Sequence, residues 1–277
     1  MTNLAASQAC CFNLFVPLAE DLHLASALFS RLLSREISVS HIEIEFTPNT
    51  CDLVDFQRSD EDESLGDQQG SGGTDADVAV FLKDSKGRRE VILIETKFIE
   101  AEFSACNSVR AKSKKEVLRV LCSGPSFYDD VVKSRRKSPQ GGLLCGYLKY
   151  RNWELTTESK MLNLEAIIGS SKCPFAGSAQ QIWRNILLAE RVAEVRALDD
   201  QRFWVVAPQE NVALWEEAGD VDVEKEVRNL LTPFGEERFE RITFERIVET
   251  LKELTGDEKK GWLAWFSEKY LSTEKVG

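Results

Sequence analysis

The sequence predicts an α/β fold: a central mixed β-sheet with helices on both faces and a C-terminal helical extension. Three observations predict it. Apolar residues recur at helical spacing over residues 7–34. Two short aliphatic runs, 78–82 and 91–94, flank a Gly-containing turn, as in an antiparallel hairpin. A helical stretch, 180–198, then leads into a third buried-type run, 203–207, stopped by Pro208. Antiparallel strands followed by a helix–strand alternation fit a mixed sheet between helical layers. With 277 residues, 43% hydrophobic and 29% charged, the chain can bury a substantial core and reads as one domain over 1–277.

Each element follows from its spacing. In 7–34 the apolar positions are Phe12, Phe15, Val16, Leu22, Leu24, Leu28, Leu32 and Leu33, and Pro17 is expected to break the helix or begin a new one. Residues 37–46 alternate as a strand, with Ile37, Val39, His41, Glu43 and Glu45 sharing a face. Residues 57–73, rich in acid, Ser and Gly, read as a solvated loop, and without a following Gly-Lys-Ser/Thr they are not a phosphate-binding loop. Asp84-Ser85-Lys86-Gly87 supplies the hairpin turn. Four successive aliphatics at 91–94 indicate a strand buried on both faces. The region 236–277 reads as an acidic helical tail packed on the core. Its first helix carries Phe239, Ile242, Phe244, Ile247, Val248 and Leu251, and its second carries Trp262, Leu263, Trp265 and Phe266. Trp183 and Trp204 are expected in the core.

Charge and composition narrow the function. With 35 basic and 46 acidic residues the chain carries −11, which argues against a passive nucleic-acid coat or a polybasic membrane binder. The charge is segregated, however. Residues 104–149 hold ten bases against three acids, a net +7, so the remainder carries −18. Such a run is a solvated helix face or a local groove for a polyanion. No apolar stretch is long enough for a membrane helix, and the N-terminus lacks the early basic residues of a signal peptide. Seven scattered cysteines without CxxC spacing point to reduced thiols in a cytoplasmic setting, and two histidines are too few for a histidine metal cluster.

The chemistry concentrates in Thr74-Asp75-Ala76-Asp77-Val78 and Ile94-Glu95-Thr96-Lys97. Glu95 and Lys97 end a nearly buried strand, where an unpaired charge costs several kcal/mol, roughly. Side chains at i and i+2 stand about 7 Å apart along a strand, so the two are expected to converge on a shared third object rather than on each other. The hairpin returns Asp77, with Asp75 as a second candidate, to the neighbourhood of Glu95. Two carboxylates with the Thr96 backbone carbonyl make a hard-oxygen site suited to Mg²⁺ or Mn²⁺.

An Asp, a hairpin and a Glu-x-Lys closing an aliphatic strand resemble the PD-(D/E)XK nuclease superfamily, the restriction-endonuclease-like fold. Asp77 stands at the Asp position and Glu95-Thr96-Lys97 at the Glu-x-Lys. Three further segments look like a largely uncharacterised bacterial branch: Ser7-Gln8-Ala9-Cys10-Cys11-Phe12-Asn13-Leu14-Phe15 with Pro17-Leu18, Glu95-Thr96-Lys97-Phe98-Ile99-Glu100 before Phe103-Ser104, and Gln180-Gln181-Ile182-Trp183-Arg184-Asn185. Ala76 replaces the Pro that often precedes the Asp. Asp77 is preferred to Asp75 because it abuts the apolar strand.

The resemblance implies a restriction-endonuclease-like core and metal-dependent hydrolysis of phosphodiesters, in DNA ahead of RNA, in a bacterial defence or repair setting. Asp77 and Glu95 would ligate Mg²⁺ or Mn²⁺, Lys97 would orient or help deprotonate the attacking water, and Gln181 would contact the site. Glu45 is the best placed acid to join them, ahead of Glu43 and Glu20. Arg184, three residues from Gln181 on the helix, would reach a phosphate, unless it serves only a salt bridge. Lys112, Lys114, Lys115, Arg135, Arg136 and Lys137 would line the nucleic-acid groove. The resemblance leaves a homodimer open. The alternative is a catalytically inactive module that binds nucleic acid or a protein partner. A metabolic enzyme lacks any nucleotide fingerprint or nucleophile–His pair.

Overall fold

The helical spacing of the N-terminal segment resolves into α1 (Leu4–Glu20) and α2 (Leu22–Leu33). The computed structural model describes residues 4–47, 74–106, 116–137, 143–148, 151–217 and 221–271. The expected loop at 57–73, and Lys112, Lys114 and Lys115, lie outside the described residues.

Pro17 does not end the first helix. It lies inside α1, and the break comes at Asp21, whose Oδ1 caps α2 by accepting from the Leu24 N–H at 3.0 Å. A proline within a helix leaves the carbonyl four residues back without its donor. Here that carbonyl is Asn13 O, and the indole Nε1 of Trp262 donates to it at 2.9 Å. The substitution therefore ties the N-terminal helix to the tail. Trp262→Phe should lower stability by about 1 kcal/mol or more, read from the denaturant midpoint, because it orphans that acceptor.

Strands β1 (Ile37–Phe46), β2 (Ala76–Asp84) and β3 (Arg89–Thr96) form an antiparallel meander. The hairpin turn closes as the sequence expects: Gly87, with φ of 82°, donates to Asp84 O, and Asp84 Oδ1 accepts from the Lys86 and Arg88 N–H groups. After α3 (Glu116–Cys122), further short helices and α4 (Ala179–Val195), the chain adds β4 (Asp200–Ala207) parallel to β3. Finally β5 (Phe239–Thr243) lies parallel to β4 and precedes α5 (Phe244–Thr255) and α6 (Lys260–Phe266). The mixed sheet runs β1-β2-β3-β4-β5.

Strand β5 corrects the expectation of a helical tail from residue 236. Phe239 and Ile242, three apart, share one face of a helix but fall on opposite faces of a strand. Both faces of this sheet are buried, so both positions are satisfied: Phe239 packs with α4, and Ile242 with α1 and α2. The spacing alone could not separate the two.

The aliphatic runs divide between two cores. Ala79, Phe81, Val91, Leu93, Phe203 and Val205 pack under α4, while Val78, Val80, Leu82, Ile92, Ile94, Trp204 and Val206 pack under α1, α2, α5 and α6. Trp183 and Trp204 are fully buried, as expected. Strand β1 departs from simple alternation. A bulge between Val39 and His41 keeps Ile42 and Ile44 on the α1–α2 side, and Glu45 takes a left-handed backbone with φ of 54°. Glu43 is thereby drawn to His41 Nε2 and Arg196 Nη1, each at 3.1 Å. Among the described residues no helix is long and apolar enough to cross a membrane.

Candidate active site

The β2–β3 ladder stops at Val78 opposite Ile94. One step further, where Asp77 faces Glu95, a side chain takes the place of the next strand-to-strand hydrogen bond. Asp77 Oδ2 accepts from both the backbone N–H and the Oγ1 of Thr96, each at 2.6 Å. The carboxylate is wedged where the two strands separate, held by one residue of the Glu-x-Lys segment. The Thr96 hydroxyl, unread as a ligand in the sequence, fixes Asp77 as firmly as the backbone does.

Glu95 is buried, at 6% exposure, and fully engaged. Its Oε1 lies 2.8 Å from Lys97 Nζ and accepts from Gln181 Nε2 at 2.7 Å, and its Oε2 accepts from Asn185 Nδ2 at 3.0 Å. The direct Glu95–Lys97 contact corrects the expectation that side chains two apart would meet only through a third object. Lys97 lies just past the end of β3, its N–H still donating to Val206 O at 2.8 Å, and its long stem folds back onto Glu95. Gln181 also accepts from the Ser104 N–H at 3.0 Å, which ties Glu95 to the chain following β3.

Asn185 is the residue that sequence reasoning missed. The sequence pairs Gln181 with Arg184, three positions on, but the neighbour facing Glu95 is four positions on, one turn along the same face of α4. The signal was present in the Gln180–Asn185 segment, and only the strand direction beneath α4 decides between the two spacings. Arg184 turns instead to the start of β2, where its Nε and Nη2 donate to Thr74 Oγ1 at 3.0 and 2.7 Å.

The loop leaving the site is anchored by a second unforeseen contact. Glu100 Oε2 accepts from Ser7 Oγ at 2.6 Å and from the Phe98 and Ile99 N–H groups at 2.8 and 3.1 Å. This links two of the segments that carry the sequence resemblance, one on α1 and one after β3. Burial alone would raise the Glu100 pKa, but the Ser7 hydroxyl, the backbone N–H groups and Lys97 outweigh it and hold it below the ordinary value.

Electrostatics mark the acidic pair as strained. Burial, and then the charge of Glu95, push Asp77 up to about 7, despite the Thr96 hydrogen bonds and Lys97. Asp75, the more exposed of the two candidates, is raised by desolvation and Glu95 as well, against Arg184. Burial works against the Lys97 charge, but Glu95 in direct contact, with Asp77 and Glu100 behind it, keeps the ammonium pKa above its ordinary value. Glu45 is exposed, and its charge reaches Asp75 and Cys11, raising both. Arg135, Arg136 and Lys137 are exposed; Arg135 Nη2 donates to Leu148 O, and Arg136 and Lys137 hold the backbone at 143–144.

The donor set bears on which metal the site could take. Among the described residues no group of three or more His, Cys, Asp and Glu is arranged to hold an ion. A dedicated protein cage, as for structural zinc, is therefore not what these residues form. Two carboxylates with excess negative charge instead fit Mg²⁺ or Mn²⁺, which keep several waters and use one or two carboxylates together with substrate phosphates. Asp77 Oδ1 accepts no hydrogen bond among the described residues, which leaves a hard donor available.

A family model described as restriction endonuclease associating with ARP (REase-ARP) matches residues 1–271. The chain belongs to the REase-ARP family. The match covers nearly the whole chain, from α1 through the tail, and the five-stranded mixed sheet between helical layers is compatible with a restriction-endonuclease-like core. No curated protein and no solved structure gives a significant match. Membership of REase-ARP puts the chain among restriction-endonuclease-like proteins, a nuclease class.

Proposed function

We propose that this REase-ARP member is a Mg²⁺- or Mn²⁺-dependent endonuclease that hydrolyses phosphodiester bonds in DNA. The observation that carries this reading is the meeting of Asp77, Glu95, Lys97 and Gln181 where β2 and β3 separate. Asp77 and Glu95, with the Thr96 carbonyl, would hold the ion, with Asp75 or Glu45 as a further acid. When bound, the ion would neutralise phosphate charge and lower the pKa of water.

The protein's own groups then divide the work. Gln181 and Asn185 fix the Glu95 carboxylate, so its oxygens are oriented before substrate arrives. Lys97, kept protonated by Glu95, is better suited to orient the attacking water and steady the phosphate oxygens than to accept a proton. Thr96 holds Asp77 against the β3 end, keeping the two carboxylates together despite their repulsion. Arg184, beside the entrance to β2, would meet a phosphate, and Lys112, Lys114, Lys115, Arg135, Arg136 and Lys137 would follow the nucleic-acid backbone.

Purified protein incubated with Mn²⁺ and supercoiled plasmid, linear duplex, single-stranded DNA and RNA should cut DNA, and chelation should stop it. The net charge of −11 favours a second reading, an inactive module that binds nucleic acid or a protein partner. The family's description names an association with ARP, which suits that reading. Retention of nucleic acid without cleavage of any substrate would decide for it.

A further inference from the structure

Cys122 ends α3, and Cys173 lies just before the turn that leads into α4. The Cys173 N–H donates to Cys122 O at 2.6 Å. This backbone bond sets the two residues side by side, as a disulfide between them requires. Each thiol is the first influence on the other's titration, which lowers Cys122 and raises Cys173. Both are buried, at 7% and 8% exposure, but Lys172 and Pro174, which flank Cys173, line a cavity of about 240 Å³. The cavity stops at those flanking residues, so reaction with a small reagent requires the turn at Cys173 to open toward it.

We propose that Cys122 and Cys173 form an oxidisable dithiol, a site of reversible disulfide formation with a low-molecular-weight disulfide as oxidant. The Cys122 thiolate attacks one sulfur of the reagent and expels a small thiolate, leaving a mixed disulfide. The Cys173 thiolate then attacks Cys122 Sγ and expels the second small thiolate. Two protein thiols become one S–S bond, the reagent is reduced to two thiols, and those take up the two protons.

The other thiols point to the same pair. The Cys173 thiol holds Cys122 below the ordinary thiol value, whereas burial pushes Cys10 and Cys11 up and raises Cys145 to about 12. Cys122 is therefore the readiest nucleophile among these thiols. The bond would close a loop of about fifty residues and tie α3 to the segment entering α4, the helix that carries Gln181 and Asn185. A cross-link over so long a loop restricts the unfolded chain and stabilises the folded one.

The test is to reduce the full chain, expose it to glutathione disulfide, and map peptides by mass spectrometry without reduction. The expected product is a Cys122–Cys173 cross-linked peptide, with two titratable thiols lost and a thermal midpoint raised by several degrees, all reversed by dithiothreitol. Cys122→Ala and Cys173→Ala, each checked for native circular dichroism, should lose both the cross-link and the midpoint rise. A stable glutathione adduct left on Cys122, a dominant cross-link to Cys106 or Cys145, or no reaction in the wild-type chain would overturn the proposal.

Discussion

Glu95→Gln and Lys97→Met should each reduce Mn²⁺-dependent DNA cleavage on the order of 10³-fold, with circular dichroism unchanged. The two substitutions differ in what they remove. Glu95→Gln keeps the side chain's shape and one oxygen, able to accept from Gln181 or Asn185 but not both, and discards the charge that binds the ion and holds Lys97. Lys97→Met keeps the stem and discards the only cation in contact with Glu95 among the described residues. Alanine at position 95 is a poorer test, because it removes every acceptor that Lys97, Gln181 and Asn185 use there and lowers stability for reasons unrelated to catalysis.

Asn185→Ala should fall between these and wild type, with cleavage down roughly 10–100-fold, since Asn185 acts only by orienting Glu95. Its cost should appear as a higher Mn²⁺ concentration for half-maximal cutting. Undiminished cleavage by Glu95→Gln or Lys97→Met would remove the hydrolase reading, whatever Asn185→Ala shows.

Much of this site was legible in the sequence because strand chemistry is local. The aliphatic run before Glu95 announces a buried strand, and its polar ending announces a reason for the charge. Gln181 came through the family resemblance, on the Gln180–Asn185 segment, and its amide meets Glu95. Lys97 meeting Glu95 directly was not legible, because the spacing along a strand does not say that a long side chain at its very end folds back. Asn185 and the Ser7–Glu100 contact were not legible either. Each joins elements brought together only by the assembled layers: α4 over the sheet in one case, α1 against the chain after β3 in the other. The same limit explains Phe239–Thr243, where a three-residue apolar spacing fits a helix buried on one face or a strand buried on two. The Trp262–Asn13 bond is a further example, since Pro17 reads as a helix breaker until a distant indole is seen to supply the missing donor.

Without divalent metal, the protein should become less stable as the pH rises from 5 to 7.5, and Asp77→Asn should flatten that slope. An unfolded aspartate titrates near 3.9, roughly, whereas Asp77 in the fold titrates at about 7. Between those values the native state keeps a proton that the unfolded state has lost. Stability therefore falls with rising pH across the window and levels off above about 7. The penalty is on the order of a few kcal/mol at pH 8, and Asp77→Asn should recover most of it, since an amide oxygen can still accept from Thr96. Mn²⁺ reverses the sense of the effect. At pH 8 the ionised Asp77 is ready to bind, and saturating Mn²⁺ at about 100 times its Kd should add roughly 2.7 kcal/mol. At pH 6 the ion must displace the Asp77 proton, so the same concentration should raise the thermal midpoint much less. Cleavage should decline over the same interval, for the same proton. The decisive comparison is the Mn²⁺-induced midpoint shift at pH 8 in wild type and in Asp77→Asn: a shift in the first and none in the second is expected. Equal shifts in both would mean that Asp77 is not a ligand, and would move the site to Glu95 with Asp75 or Glu45.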